Sequence, residues 1–199
     1  MRKANTQIVS TIKTKTLELL MEKNLDSISM RDIAANCSIT AANIYHYYKD
    51  KDSLFQEISL DCLHELNERI LNRVQNLSAD KKKLQTATHT FRDWCFENPR
   101  RALLVIQGIK TSAAAGNEFR ESYFVCNKAA TEVLKACVQS GSARSANPQL
   151  DVDILVSGLW GCVEAVFLKK CNKKYWDNGS AYMNRFIDLW INAIFGGTK

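Results

Sequence analysis

The chain has 199 residues, 46% apolar and 24% charged, with a formal net charge of +6. That length supports one or two domains with a real core, and the charge suits an anionic partner such as nucleic acid without requiring one. Two prolines and eight glycines are too few to punctuate a turn-rich sheet, so an all-α chain is expected.

Ile8, Ile12, Leu19 and Leu20 recur at helical spacing and predict a first amphipathic helix over 4–23, with Asn24 at its C-cap. Ser29 stands three residues before Asp32, the spacing of a capping box, and opens a short helix carrying Ile33 and Ala34. Cys37, Ser38 and Ile39 read as a turn. Thr40 N-caps a second short helix, 41–47. Lys49, Asp50 and Lys51 break it, and Asp50 caps a long helix built on Leu54, Ile58, Cys62, Leu66 and Ile70.

Leu84, Phe91, Trp94 and Cys95 mark the next helix, ended by Asn98 and Pro99. Residues 100–115 read as another, closing at Gly116. Phe119, Tyr123, Cys126, Ala130, Val133 and Cys137 mark one that ends near Gly141. After a polar loop, two last helices span roughly 149–172 and 178–195. The final one carries Tyr182, Phe186, Leu189 and Ala193 beside Met183, Ile187, Trp190 and Ile194. A helix apolar on nearly every side needs cover on two sides, and a second subunit is the expected second cover.

The informative segment is 28–55. Two short helices joined by a tight turn, the second rich in small and polar residues, describe a helix-turn-helix. A major groove about 12 Å wide admits one helix, and small residues at its start let the backbone approach base edges. Thr40, Ala41, Ala42 and Asn43 supply that face, with Asn43 suited to adenine and Ala41 or Ala42 to a thymine methyl. Ser29, Arg31, Tyr45, His46, Tyr47 and Lys51 complete the expected DNA contacts, mostly at phosphates, which position the protein without reading sequence. Tyr48 is expected in the core. Residues 1–53 hold eight Lys/Arg against six Asp/Glu, so affinity should come from a few placed contacts.

This segment resembles the TetR/AcrR family of bacterial one-component repressors. The likeness rests on Ser29 to Ala34, Ile39, Thr40, Ile44, Tyr45, His46, Tyr47, Tyr48, Lys51, Leu54 and Phe55. Thr16 and Asn24 stand where the family favours Ala and Gly, Cys37 where it has Ala, Ser38 at the turn Gly, and Tyr47 at the common His. The resemblance implies a three-helix DNA-binding domain at 1–50 and a helical effector-binding and dimerisation domain at 51–199. It further implies a homodimer joined by its last two helices and released from a palindromic double-stranded operator by a small molecule, here expected to be apolar or amphipathic.

For that effector, Phe91, Trp94, Tyr123, Phe124 and Trp160 are candidate pocket residues. Gly158, Gly161, Phe186, Trp190 and Ile194 are candidates for the dimer interface. No cofactor, metal site or catalytic residue is expected: the three histidines lie far apart, and no phosphate loop, nucleophile elbow or zinc-protease motif occurs. Seven cysteines, odd in number and never spaced C-x-x-C, argue against a disulfide scaffold. An N-terminus without an apolar stretch and the absence of a membrane-length apolar run lead us to expect a cytoplasmic protein with no membrane partner. Two other readings of the same residues are a redox-responsive DNA-binding regulator, with Cys37 as the thiol to watch, and a helical effector-binding adaptor that has lost DNA binding.

Overall fold

Side-chain caps at Ser29, Thr40 and Asp50 start three successive helices. In the computed structural model, which describes residues 2–78, 80–108, 121 and 124–196, α1 (Arg2–Glu22) buries Ile12, Leu19 and Leu20. Thr16 is fully buried on the same face, its hydroxyl donating to the Ile12 carbonyl at 2.7 Å. Asn24 departs from its expected role. Its backbone is extended (φ −72°, ψ 150°) and leads into a 3₁₀ turn over Leu25–Ser27, so it opens the next element instead of closing α1.

The capping box at α2 (Met30–Asn36) is complete: the Ser29 hydroxyl accepts from Asp32 N at 3.1 Å, and Asp32 accepts from Ser29 N at 2.8 Å. α3 (Ala41–Ile44) begins at Thr40, whose hydroxyl accepts from Asn43 N at 3.2 Å. Regular helix stops at Ile44, short of the expected Tyr47. The chain nevertheless stays wound through His46, Tyr47 and Tyr48, which donate back to Asn43, Ile44 and Ile44. Asp50 and Ser53 form a second capping box that launches α4 (Lys51–Val74), with Leu54, Ile58, Cys62, Leu66 and Ile70 all buried, as their spacing predicts.

α5 (Asp80–Glu97) and α6 (Pro99–Gly108) meet at Asn98, as expected. The expected continuation to Ala115 and Gly116, the helix start at Phe119, and Tyr123 lie outside the described residues. α7 (Val125–Gln139) closes at Gly141, where φ is +72°. α8 (Pro148–Phe167) starts on the Asn147 side chain, with Pro148 in the first turn, where no N–H is needed. It ends five residues before the expected 172, because Lys169 turns left-handed at φ +55°. A 3₁₀ turn (Lys173–Tyr175) then leads to α9 (Gly179–Phe195). No strand occurs among the described residues.

α4 packs on α5 and α6, α8 lies among α6, α7 and α9, and α9 returns onto α5. One apolar cluster runs from Ile12, Ile33 and Ile44 through Leu54 and Ile58 of α4 to Trp94, Leu159 and Ile187. α4 is therefore a wall shared by the N-terminal helices and the larger bundle. Lys13 of α1 fastens that wall from outside, reaching Glu57 at 2.6 Å and Asp61 at 2.7 Å. No described helix is long and apolar enough to cross a membrane.

Candidate nucleic-acid interface and effector cavity

α3 is held from behind. Ile44 is fully buried and Tyr48 nearly so, both packed in the core that α1, α2 and α4 share. Burial, with the Glu57 and Asp61 carboxylates beside it, pushes the Tyr48 hydroxyl well above the usual phenol range, so it stays neutral. The opposite side of α3 is open. Thr40, Ala42, Tyr45 and His46 are exposed, Tyr45 at 54%, while Ala41, Asn43 and Tyr47 are half-buried. The structure thus gathers Thr40 through Tyr47 on about two wound turns, with small side chains at their start.

The flanking residues divide. Arg31 is exposed on α2. Ser29 is exposed too, but its hydroxyl serves Asp32, donating at 2.5 Å and accepting from the backbone. Lys51 is half-buried over the Phe55 ring, its ammonium donating to the Leu25 carbonyl at 3.3 Å. Cys37 sits in the turn between α2 and α3, half-buried, and burial raises its thiol pKa. That is the wrong direction for a reactive thiolate. Burial likewise pushes Cys62 and Cys126 up to about 12 and Cys162 to about 11.

A cavity of about 100 Å³ lies among α4, α5, α7 and α8. Phe91 and Trp160, both expected there, line it and meet edge-on with centroids 4.7 Å apart. Two other expected residues do not join them. Trp94 is fully buried in the core, its indole N–H donating to Glu65 at 3.0 Å, and Phe124 is 41% exposed outside the cavity. Sequence reasoning missed the polar wall: Asn67, Thr88 and Asn127 are buried at the lining. Asn127 donates to Asp153 at 3.0 Å, tying α7 to α8. The signal was register, since Asn67 falls between Leu63 and Ile70 on the buried stripe of α4.

The candidate dimer residues fall on both sides of the α8–α9 layer. Gly158 faces inward to α9: a Cβ there would sit 2.1 Å from the Phe186 ring, so the glycine admits that ring. Trp190 and Ile194 are buried within the chain, the Trp190 indole donating to the Asp151 carbonyl at 3.2 Å. Gly161 is exposed with open space around it, on the face of α8 that also exposes Ile154, and Leu189 of α9 is 52% exposed. Among the described residues no group of His, Cys, Asp and Glu is arranged to hold a metal ion.

The sequence pattern of the bacterial regulatory proteins of the tetR family matches residues 12–58, which run from the buried face of α1 through α3 into α4. The chain has the domain and the fold of a tetR-family transcription regulator. Its fold resembles a putative tetR-family transcription regulator from Shewanella sp. PV-4, with TM-score 0.68, 16% identity, and 94% of this chain and 97% of that one covered. It also resembles the fatty acid degradation regulator FadR from Bacillus halodurans, with TM-score 0.73, 13% identity, and coverage of 96% and 99%. A third likeness is to AibR, solved in complex with isovaleryl coenzyme A and operator DNA, with TM-score 0.69, 17% identity, and coverage of 96% and 100%. No curated protein sequence matches the chain. Within the tetR-family frame, the departures at Cys37 and Ser38 fall in the turn before α3, and the backbone there still makes the turn.

Proposed function

We propose that this tetR-family chain is a repressor that binds a palindromic operator as a homodimer and is released by a small apolar or amphipathic effector. The observation that carries the reading is α3 itself, capped by Thr40, pinned by Ile44 and Tyr48, and open along Ala42 and Tyr45. Two such helices in one dimer would enter successive major grooves, with Asn43 paired to adenine and Ala41 or Ala42 against a thymine methyl. Arg31, Tyr45, His46 and Tyr47 would contact phosphates, while Ser29 and Lys51 act mainly by holding the backbone around them.

The domain division follows from this: residues 1–50 meet DNA, and 51–199 carry the effector cavity and the dimer contact. The exposed Ile154, Gly161 and Leu189 would meet a second copy, backed by Phe186, Trp190 and Ile194. The cavity's aliphatic walls, with Phe91 and Trp160 at one side and Asn67, Thr88 and Asn127 as its polar groups, fit an effector with an apolar body and a polar end. Release needs that effector to bind the non-DNA conformation more tightly.

Selection of bound duplexes from a random pool, followed by titration of the winner, tests the reading. An inverted repeat bound by a dimer is expected. Asn43→Ala should weaken it by about 1–3 kcal/mol and relax discrimination at one base, whereas Tyr45→Phe should weaken it across all sequences. No enrichment by a folded dimer would overturn the proposal.

A further inference from the structure

A second cavity, of about 510 Å³, lies where the α5–α6 corner meets the end of α8 and the start of α9, and it shares no lining residue with the first. Phe96, Phe167 and Trp176 make it aromatic. The first two pack edge-on at 5.2 Å, and the Trp176 indole is fixed by donating to the Cys171 carbonyl at 3.1 Å. Gly179 is buried in its wall, where a Cβ would come within 2.3 Å of Val166 and 2.9 Å of Phe96.

Among the described residues, the charges lining this cavity are Arg100 and Lys169 against one carboxylate, Asp177. Arg100 uses one nitrogen on the Asn24 side chain at 3.2 Å. A guanidinium has five N–H donors, so a fork remains for an incoming carboxylate. Lys169 lies with its ammonium 5.2 Å from the Trp176 ring centre. Its backbone is left-handed at φ +55°, in a helix-ending position that favours glycine. A lysine that bears that conformational cost beside a basic, aromatic cavity points to use of its side chain.

We propose that this cavity is a ligand site for a small aromatic anion, a planar ring bearing a carboxylate. The ring packs on the aromatic walls, and the carboxylate meets Arg100 and Lys169. The site does not depend on the DNA-binding reading, since it is defined without operator or partner.

The test is calorimetric titration of the full chain with 2-naphthoate and with uncharged 2-naphthalenemethanol. Naphthoate is expected to bind once per chain, with the alcohol weaker by about tenfold or more, as loss of a charge-assisted pair implies. Arg100→Ala should remove most of that advantage. Lys169→Gly should weaken naphthoate several-fold while raising the thermal midpoint, which separates lost binding from lost folding. Ligand-induced change in tryptophan fluorescence should survive Trp160→Phe, which alters the first cavity, and disappear in Trp176→Phe. The proposal is overturned by absence of naphthoate binding at about 1 mM, a concentration corresponding to only about 4 kcal/mol. It is equally overturned if binding is indifferent to Arg100→Ala and Lys169→Gly, or if the fluorescence change follows Trp160.

Discussion

Asp32 accepts from three donors on two neighbours, Ser29 and Lys23, around the start of α2. It accepts from the backbone N–H and hydroxyl of Ser29 and from Lys23 Nζ at 3.0 Å, and these bonds hold its carboxyl well below the usual carboxylate range. A depressed folded-state pKa contributes stability above the unfolded value near about 4, and that contribution is lost as pH falls through the folded value. Asp32→Asn is therefore expected to lower the urea midpoint at pH 7, with the gap from wild type narrowing below about pH 4. A gap as wide at pH 3 as at pH 7 would count against this account. Thr40 is a single cap with no reciprocal partner at N3, since Asn43 supplies only its backbone N–H. Thr40→Ala should cost about 1 kcal/mol in urea unfolding, and Thr40→Ser much less.

Three helices end by the same device with different residues. After α2, Ser38 N–H donates to Ala35 and Ile39 N–H to Ala34. After α7, Gly141 pairs with Val138 and Ser142 with Cys137; after α8, Lys169 pairs with Val166 and Lys170 with Ala165. Each is a Schellman ending that places one residue in the left-handed region, at φ +56°, +72° and +55°. Only Gly141 has the residue that region favours. Ser38→Gly is expected to stabilise the protein by up to about 1 kcal/mol, and Gly141→Ala to destabilise it by about as much, both read from thermal unfolding. Nothing lies within 4 Å of a Cβ built at Gly141, so backbone conformation alone sets that cost. These ends also explain what the sequence made legible. Helix starts at Ser29, Thr40 and Asp50 were readable because each cap acts on residues two or three positions away. The end of α8 was not, because Lys169 gives no local sign of a turn, and neither was Asn24, where polarity alone suggested a cap.

At the scale of the whole chain, burial rather than local chemistry decided which residues reached a site, and that is where sequence reasoning thinned. Phe91 and Trp160 met across the cavity, while Trp94, one helical turn from Phe91, is fully buried in the core, with Glu65 accepting from its indole N–H. In α9, apolar on nearly every side, only tertiary packing selected Met183, Ile187, Trp190 and Ile194 to face inward and left Leu189 outside. The charge layout has a sharper consequence. In the N-terminal helices Lys13 is bridged to Glu57 and Asp61, Lys15 to Glu18 and Lys23 to Asp32, and Lys51 is engaged by a carbonyl. Arg31 and Lys49 are exposed and, among the described residues, without an ion pair. Counting the described side chains alone, a dimer would then bring four such cations to the phosphates, Arg31 and Lys49 from each copy. Counterion release gives about 0.9 per phosphate neutralised, so these four should contribute about −4 to the slope of log affinity against log salt for the selected operator. Arg31→Ala, which removes two cations per dimer, should make the slope shallower by about 2. A wild-type slope near −10 would mean that the lysines now paired with carboxylates release them on DNA, and that the resting ion pairs are part of what binding rearranges.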